Sequence, residues 1–261
     1  MYVKPKKNLG QHFLNDENIA ADIAATISPE ALKEHPEWAS LPILEVGPGM
    51  GVLSKYLIES GREVTAVELD TESVSFLAKV YPSLRVIEAD FLRLDLHEVY
   101  DGPFALIGNY PYNISSQIFF KVLDNIDMIP VVSGMLQKEV AERICSKPGS
   151  KVYGILSVLL QAWYDCEYLF NVEPHVFTPP PKVRSGVLRL TRNSRTDLGC
   201  DPVFFKKVVK TAFGQRRKTL RNSLSPMMQP GCAALQSRFM SERPERLSVD
   251  DFIELTNLIK G

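Results

Sequence analysis

The fold of this chain is indicated by the stretch Glu45-Val46-Gly47-Pro48-Gly49-Met50-Gly51. It follows the short apolar run Pro42 to Val46, which predicts a buried strand, and precedes the pattern Gly51 to Ser60, which predicts a helix. Glycines at such a junction let the backbone turn tightly and approach a ligand without a Cβ in the way. Alone, the stretch leaves open an ordinary turn, a dinucleotide site and a site for another adenosine-type cofactor.

Outward from this turn, short apolar runs alternate with helical patterns. Strand, helix and strand in repetition predict an α/β fold, in which a parallel sheet is covered by helices and binds ligands at the carboxyl ends of its strands. The further predicted strands are Glu63 to Val67, Leu84 to Ile87, Phe104 to Ile107 and Val131 to Leu136, and the further helices are Thr71 to Tyr81, with Thr71 as N-cap, and Ile114 to Leu123.

A second, smaller unit is predicted after the polar segment 192–199, which has the composition of a loop. Asp201 can cap a helix that Pro202 opens, and Ser248 with Asp251 forms a capping-box pattern before the last helix. We therefore expect a sheet domain over residues 1–195 and a small C-terminal α-helical domain over residues 196–261.

The charge is distributed unevenly along the 261 residues, although the formal net charge is -1. Residues 1–200 hold 19 Lys and Arg against 25 Asp and Glu, whereas residues 201–261 hold 11 against 6. A basic run without acids suits a polyphosphate backbone, although a charge run can also be a solvated helix face. The candidate RNA-binding residues in this run are Lys206, Lys207, Lys210, Arg216, Arg217, Lys218 and Arg221.

Other classes of protein are disfavoured by composition. No apolar run approaches the 18 or more residues of a membrane span, and the basic N-terminus lacks the apolar core of a signal peptide, so a cytoplasmic location without a membrane partner is expected. The four cysteines show no paired CxxC spacing. They predict neither a disulfide framework nor a zinc site, and no metal is expected.

Two acids follow the next two predicted strands. Glu68 lies where an acid accepts hydrogen bonds from ribose hydroxyls, and the carboxylate of Asp90 could accept from the amino group of an adenine ring. Either acid alone would more often be a loop carboxylate or a helix cap. A glycine-rich loop and two acids at three consecutive strand ends predict an adenosine-type cofactor, and no Gly-Lys-Ser/Thr of a phosphate loop follows.

The fourth predicted strand ends in Gly108-Asn109-Tyr110-Pro111-Tyr112-Asn113. Alone this would be a capped turn, but it resembles the Asn-X-Pro-aromatic motif of methyltransferases that act on the amino group of adenine. The side-chain oxygen of Asn109 and the backbone carbonyl of Tyr110 can hold both amino hydrogens and turn the nitrogen lone pair toward a methyl donor. Tyr112 offers a flat face to a base extruded from its stack.

The resemblance covers nearly the whole chain. The segments Asn8 to Asp16, Asn109 to Ser115, His175 to Val183 and Phe213 to Lys218, with the glycine loop, resemble the small-subunit ribosomal RNA adenine dimethyltransferases. More distantly, the chain is similar to the erythromycin-resistance methyltransferases of large-subunit RNA. The resemblance implies a Rossmann-like sheet that binds S-adenosylmethionine and a helical RNA-binding domain. It also implies that two adjacent adenines near the 3′ end of small-subunit ribosomal RNA are each dimethylated, late in subunit assembly.

Site residues follow from the same resemblance. It places His12, Leu14, Gly47, Glu68, Asp90 and Asn109 against the cofactor, and Asn109, Tyr110, Tyr112 and Phe177 in the catalytic site. Phe177 would close the adenine pocket opposite Tyr112. Two positions depart from the family: His12 stands where many relatives have Asn, and Tyr110 where Leu or Ile is commoner. The carbonyl at position 110 should therefore matter more than the side chain.

The expected partner is small-subunit ribosomal RNA or the pre-small-subunit particle, bound by a monomer. Three alternatives remain. The chain could be an RNA-binding assembly factor in which catalysis is secondary. It could be a large-subunit ribosomal RNA adenine methyltransferase of the erythromycin-resistance type. A nicotinamide dehydrogenase on a similar sheet is disfavoured by Asn109 to Tyr112 and by the basic tail.

Overall fold

The computed structural model describes residues 3–261, which form a mixed α/β fold. Its strands are β1 Phe13–Leu14, β2 Ile43–Val46, β3 Val64–Glu68, β4 Arg85–Glu88, β5 Ala105–Asn109, β6 Val131–Gln137, β7 Tyr164–Val172, β8 Phe177–Thr178 and β9 Ser185–Arg192. Its helices are α1 Glu17–Ala25, α2 Val52–Glu59, α3 Thr71–Val80, α4 Ser115–Leu123, α5 Lys138–Cys145, α6 Ile155–Gln161, α7 Pro202–Gly214, α8 Leu220–Ser223 and α9 Val249–Lys260.

A seven-stranded sheet in the order β4-β3-β2-β5-β6-β9-β7 forms the centre of the fold. The strands β4, β3, β2, β5 and β6 run parallel, and β9 pairs with β6 in the antiparallel direction. Because the chain passes outward from β2 through β3 to β4 and then returns to β5, the order reverses between β2 and β5. In open α/β sheets, ligands bind beyond the carboxyl ends of the strands at such a reversal.

The predicted strands and helices of this half are confirmed. β2 to β6 coincide with the five apolar runs, and β2, β3 and most of β5 are buried, as parallel strands covered on both faces should be. One prediction was wrong: Thr71 is the first residue of α3, and Asp70, with extended backbone, is the N-cap. The Thr71 hydroxyl instead donates to the Glu88 carboxylate at 2.5 Å.

The chain divides into two compact units. The first runs to Ala141 and includes Glu167–Thr191, and the second consists of Glu142–Cys166 and Arg192–Gly261. The predicted boundary between residues 195 and 196 lies close to Arg192, where the chain enters the second unit for the last time. It leaves Glu142–Cys166, however, in the first domain. The functions assigned to the two predicted domains stay predictions.

The second unit is helical, and its helices begin where the sequence predicts. The Asp201 side chain accepts from the backbone amides of Val203 and Phe204 at 2.9 and 3.1 Å, with Pro202 as the first helical residue of α7. Ser248 and Asp251 form the predicted capping box of α9. Across residues 3–261, no helix combines the length and the apolar composition that crossing a membrane requires.

Candidate active site

A pocket of about 190 Å³ opens at the carboxyl ends of β2, β3 and β5, where the strand order reverses. Backbone and side chains from five stretches of the first unit form its walls. These are residues 9–14, 45–50, 67–69, 89–92 and 109–114, joined by Ile23, Val52 and Leu53.

The glycine loop after β2 has a backbone that other residues rarely adopt. Gly49 has φ +58° and Gly51 has φ +79°, both in the left-handed region. A Cβ on Gly49 would lie 2.8 Å from Cε1 of Phe13, and one on Gly51 would lie 2.5 Å from Cε2 of Tyr81. The loop therefore requires glycine both for its turn and for the close approach of the segment that carries Phe13.

Glu68, the last residue of β3, holds this loop in place. Its buried carboxylate accepts from the backbone amide of Gly49 at 3.1 Å and from that of Asp70 at 2.8 Å. Burial raises the pKa of Glu68, although these amide hydrogen bonds oppose the shift. Two carboxylate oxygens have about four acceptor positions, so positions remain for hydroxyl donors of a ligand.

Glu45 is a second buried acid at the pocket, and the sequence analysis did not single it out. It is 1% exposed and accepts a 2.5 Å hydrogen bond from the Ser54 hydroxyl. Burial raises the pKa of Glu45 to about 8, and the negative charge of Glu68 adds to the shift. The available signal was an acid inside the otherwise apolar run of β2.

Asp90 and Leu69 form the rim beyond β3 and β4. The Asp90 carboxylate accepts from the backbone amide of Leu92 at 3.0 Å and lies 3.5 Å from the Arg93 guanidinium, with its side chain partly exposed. Leu69 lines the pocket and is 53% exposed. A large apolar side chain exposed beside two acids suits the flat face of a base. Leu69 is not among the residues predicted from the sequence, although its position directly after Glu68 could have indicated it.

The N-terminal segment of residues 3–16 is fastened beside the pocket by an ion pair. The Lys6 ammonium contacts the Asp70 carboxylate and lies 3.0 Å from that of Glu72. Burial alone would raise the pKa of Asp70, but hydrogen bonds from Lys6 and from the Ser73 hydroxyl outweigh it and lower the pKa overall. Asp70 is therefore ionised at neutral pH and holds Lys6 by charge.

At the end of β5, the side chain of Asn109 contacts the N-terminal segment, whereas the side chain of Tyr110 is buried. The Asn109 side-chain nitrogen donates to the backbone carbonyl of His12 at 3.1 Å, and since a carbonyl only accepts, this bond fixes which way the amide points. Tyr110 is 1% exposed, and its hydroxyl donates to the carbonyl of Ser133 at 2.7 Å. That ring is packed edge-on to Phe119 in the core, and Tyr110 is also among the residues that line the pocket.

Of the two aromatic residues predicted to enclose the acceptor adenine, Tyr112 and Phe177, one lines the pocket and the other is buried in the core. Tyr112 lines the pocket, its hydroxyl hydrogen-bonds that of Ser185, and the His12 ring stacks on it at a centroid distance of 5.4 Å. Phe177 is 2% exposed and packs in the core with Leu14, its partner in the β1–β8 pair, and it is not among the residues that line the pocket. Stacking of a base on Phe177 would therefore require this side chain to leave the core.

Eight of the nine predicted cofactor and catalytic residues line this pocket, and the ninth is Phe177. The eight are His12, Leu14, Gly47, Glu68, Asp90, Asn109, Tyr110 and Tyr112, and their roles stay predictions.

The predicted RNA-binding residues lie in the second unit. α7 buries Phe205, Val208 and Val209, which leaves Lys207 and Lys210 on its exposed side, whereas Lys206 is half-buried. The exposed cations continue past the helix with Arg217, Lys218 and Arg221. Two guanidinium groups of this set also hold backbone carbonyls. Arg216 donates to those of Ser150 and Lys151 and lies 3.9 Å from the Glu245 carboxylate, and Arg221 donates to that of Leu235 at 3.1 Å.

The sequence matches a known family over almost its full length. The sequence model of the family described as "Ribosomal RNA adenine dimethylase" matches residues 3–260. The Ribosomal RNA small subunit methyltransferase A of Bacteroides thetaiotaomicron is 59% identical over 261 residues, which cover 99% of this chain and 95% of the relative. That of Porphyromonas gingivalis is 56% identical over 264 residues, with coverage of 100% and 99%.

Solved structures share the fold. The 23S rRNA methyltransferase ErmE is 25% identical with a TM-score of 0.67, over 95% of this chain and all of that chain. A dimethyladenosine transferase from Plasmodium falciparum is 23% identical with a TM-score of 0.74, over 94% of this chain and 96% of that chain. The family match over residues 3–260 and the relatives more than half identical identify the chain as a member of the ribosomal RNA adenine dimethylase family.

Proposed function

We propose that this chain transfers methyl groups from S-adenosylmethionine to the amino nitrogens of two adjacent adenines near the 3′ end of small-subunit ribosomal RNA, two to each base. The observation that carries the proposal is the hydrogen bond from the Asn109 side-chain nitrogen to the His12 carbonyl. It leaves the Asn109 oxygen as an acceptor beside a pocket with buried acids at its strand ends. That arrangement suits an amino group as the acceptor of a methyl group.

The pocket has the chemistry that S-adenosylmethionine needs. The glycine loop gives backbone access without a Cβ, Glu68 keeps acceptor positions for ribose hydroxyls, and Asp90 can accept from an adenine amino group. The exposed Leu69 offers an apolar surface for the adenine ring. Bound there, S-adenosylmethionine supplies a methyl group on a positively charged sulfur, which is strongly electrophilic.

The acceptor side acts by orientation. The lone pair of an adenine amino nitrogen is delocalised into the ring, which makes the nitrogen a poor nucleophile. The Asn109 oxygen and the Tyr110 carbonyl would each accept one amino hydrogen and hold the lone pair toward the pocket. The amino nitrogen becomes acidic only as it gains the methyl group, and its proton can then pass to water. The chain therefore needs no strong base.

A second methylation on the same nitrogen constrains the site. After the first transfer the amine keeps one hydrogen, which the Asn109 oxygen and the Tyr110 carbonyl must share. The Tyr110 ring is buried and its hydroxyl is bonded to the Ser133 carbonyl, so this ring takes up little of the space beside the amino group. This supports dimethylation by the same groups that orient the first transfer.

Affinity for RNA is proposed to come from the second unit. Lys207, Lys210, Arg217, Lys218 and Arg221 are exposed cations on and after α7, and phosphate contacts by such side chains give sequence-independent affinity. The small-subunit relatives, more than half identical over the full chain, favour small-subunit over large-subunit RNA as substrate.

The test is methyl transfer to ribosomal subunits. We expect labelled methyl groups from S-adenosylmethionine to enter undermethylated small subunits, with dimethyladenosine at two adjacent positions near the 3′ end of the RNA. Mapping of the product by nuclease digestion and mass spectrometry locates the bases. Large-subunit RNA as the sole acceptor would contradict the proposal and favour the erythromycin-resistance type.

Cofactor choice is tested separately by calorimetric titration. S-adenosylmethionine should bind to the purified chain, and NAD should not. Tight binding of NAD would overturn the cofactor assignment. Binding of S-adenosylmethionine without methyl transfer to either subunit would favour the alternative that the chain is an RNA-binding assembly factor without catalytic activity.

A further inference from the structure

Lys121 of α4 contacts the turn of residues 90–94, which we call the Asp90 turn. The ammonium group of Lys121 donates to the backbone carbonyls of Leu94 and Leu92 at 2.6 and 3.4 Å. It also lies 5.6 Å from the centroid of the Phe91 ring, which is buried and lines the pocket. One half-buried cation therefore contacts the residues that directly follow Asp90.

Hydrogen bonds to Asp90 close this turn from within. The Asp90 carboxylate accepts from the backbone amide of Leu92 at 3.0 Å, and the Asp90 carbonyl accepts from the amides of Arg93 and Leu94, both at 3.0 Å. These bonds use the amides of the turn, whereas Lys121 is the donor to two of its carbonyls. Lys121 therefore joins the Asp90 turn to α4.

The helix that carries Lys121 is packed into the core. Ile118, Phe119 and Val122 of α4 are fully buried, which fixes the helix on both sides of the lysine. A side chain that extends from a packed helix has a fixed starting point, so the two carbonyl contacts restrict where the Asp90 turn can lie.

The charge of Lys121 is coupled to that of Asp90. Burial lowers the pKa of Lys121, and the negative charges of Asp95, Asp90 and Asp124 oppose this shift. The Asp90 carboxylate therefore interacts electrostatically with Lys121, in addition to lying 3.5 Å from the Arg93 guanidinium. A change at Lys121 should reach Asp90 through the backbone of the turn and through charge.

We infer that Lys121 is a positioning residue for cofactor recognition: by holding the carbonyls of Leu92 and Leu94, it fixes the Asp90 carboxylate where it accepts from the adenine amino group of S-adenosylmethionine. The inference rests on the proposed function, which assigns Asp90 to that amino group. Lys121 is not among the residues that line the pocket. Its effect therefore acts through Asp90 and concerns recognition of the purine 6-amino group.

Two ligands measure that recognition directly. They are S-adenosylhomocysteine, which is the cofactor without its methyl group, and its analogue with hydrogen in place of the 6-amino group. The parent should bind S-adenosylhomocysteine about tenfold more tightly, because the analogue lacks the donor to a charged acceptor. Lys121→Met keeps the side chain as far as Cε and removes the ammonium group, and this ratio of dissociation constants should fall at least about threefold in it. Titration calorimetry gives each constant.

Arg62→Met is the matched control. Arg62 is half-buried, its guanidinium donates to the carbonyls of Leu41 and Ile27 at 2.7 and 3.0 Å, and it is not among the residues that line the pocket. The control therefore also removes a cation from backbone carbonyls of the first unit, and it should keep the parent ratio. A fall of less than about threefold in Lys121→Met, or an equal fall in Arg62→Met, would overturn the inference. Equal affinity of the parent for the two ligands would also overturn it.

A labelling measurement on the parent protein does not depend on a folded variant. Coupling between two contacts is reciprocal, so if Lys121 strengthens the bond to the adenine amino group, that amino group strengthens the contacts of Lys121. Acetylation of Lys121 by acetic anhydride, followed by mass spectrometry, should be slower at saturation with S-adenosylhomocysteine than at saturation with the analogue. Equal rates would overturn the inference.

Failure of the inference is distinguishable from failure of the proposed function. A parent that binds neither ligand and transfers no methyl group to small subunits contradicts both. An active parent whose preference for the amino group survives in Lys121→Met refutes only the role of Lys121.

Discussion

Ser54 donates a 2.5 Å hydrogen bond to the carboxyl group of Glu45, at a place where both side chains are buried beneath the pocket. Ser54 lies in α2 and Glu45 in β2, so the bond joins the two elements that flank the glycine loop. Burial raises the pKa of Glu45 from an ordinary 4.5 to about 8. The carboxyl group is therefore mostly protonated at neutral pH, and the stability of the fold depends on that proton.

The first prediction concerns the pH dependence of stability. Between pH 4.5 and about 8, unfolded Glu45 has released a proton that the folded chain still holds, so its contribution to the free energy of unfolding falls as pH rises and levels off above 8. Glu45→Gln should remove this fall, which amounts to at most about 1.4 kcal/mol per pH unit. Urea unfolding of both proteins at pH 5.5 and 8.5 measures it. A parallel pH dependence in parent and variant would show that Glu45 is ionised in the fold.

The second prediction concerns Gly49. Gly49→Ala combines a left-handed backbone with a Cβ only 2.8 Å from the Phe13 ring, so the N-terminal segment must shift. We expect affinity for S-adenosylmethionine to fall at least about tenfold. Gly61→Ala is the matched control, because Gly61 has φ +76° and a Cβ added there would meet no atom within 4 Å beyond its chain neighbours. Titration calorimetry should show normal cofactor affinity for the control, and thermal melts should show a smaller loss in melting temperature for Gly61→Ala than for Gly49→Ala. Equal cofactor affinities in both variants would refute the steric argument.

The third prediction separates the side chain of Tyr110 from its backbone. Tyr110→Phe removes the buried hydroxyl that donates to Ser133 and should lower the free energy of unfolding by about 1–2 kcal/mol. Because we assign the carbonyl to the acceptor adenine, kcat per folded molecule should stay within about threefold of the parent. Urea unfolding and methyl transfer are measured on the same preparation. A hundredfold loss of kcat would mean that the hydroxyl acts in the site.

The fourth prediction concerns Asn109. Asn109→Ala removes the acceptor oxygen and the bond to the His12 carbonyl, and we expect kcat to fall about 10²–10³-fold while S-adenosylmethionine still binds. Asn109→Asp keeps an oxygen acceptor but cannot donate to His12, so it should be impaired as well. Labelled-methyl transfer and calorimetry measure both effects. Near-normal turnover of Asn109→Ala would remove the proposed role.

Local sequence patterns predicted the strands, the glycine loop and the acids at the strand ends, because each feature is encoded by neighbouring residues. They did not predict the burial of Phe177, since its partner Leu14 lies 163 positions earlier and pairing across that distance leaves no periodic signal. The inclusion of Glu142–Cys166 in the helical unit has the same cause. Glu45 stands out as an acid within an apolar run, but the run alone gives no sign of whether that acid is charged.

The fifth prediction distinguishes RNA contacts from internal contacts among neighbouring cations. Arg217 and Lys218 are exposed, whereas the adjacent Arg216 is bonded to the carbonyls of Ser150 and Lys151. If the exposed pair neutralises phosphates, Arg217→Gln with Lys218→Gln should weaken binding to small-subunit RNA and reduce the slope of log K against log salt by about 1 for each lost contact.

Arg216→Gln is the matched comparison for that pair. It should lower the melting temperature, because two backbone carbonyls of the second unit lose their donor, and should change the salt slope less than the double variant does. RNA binding measured from 50 to 200 mM salt, with S-adenosylmethionine affinity as the internal check, gives both slopes. An unchanged slope in the double variant would mean that these cations are a solvated surface, and RNA affinity would then have to come from other residues.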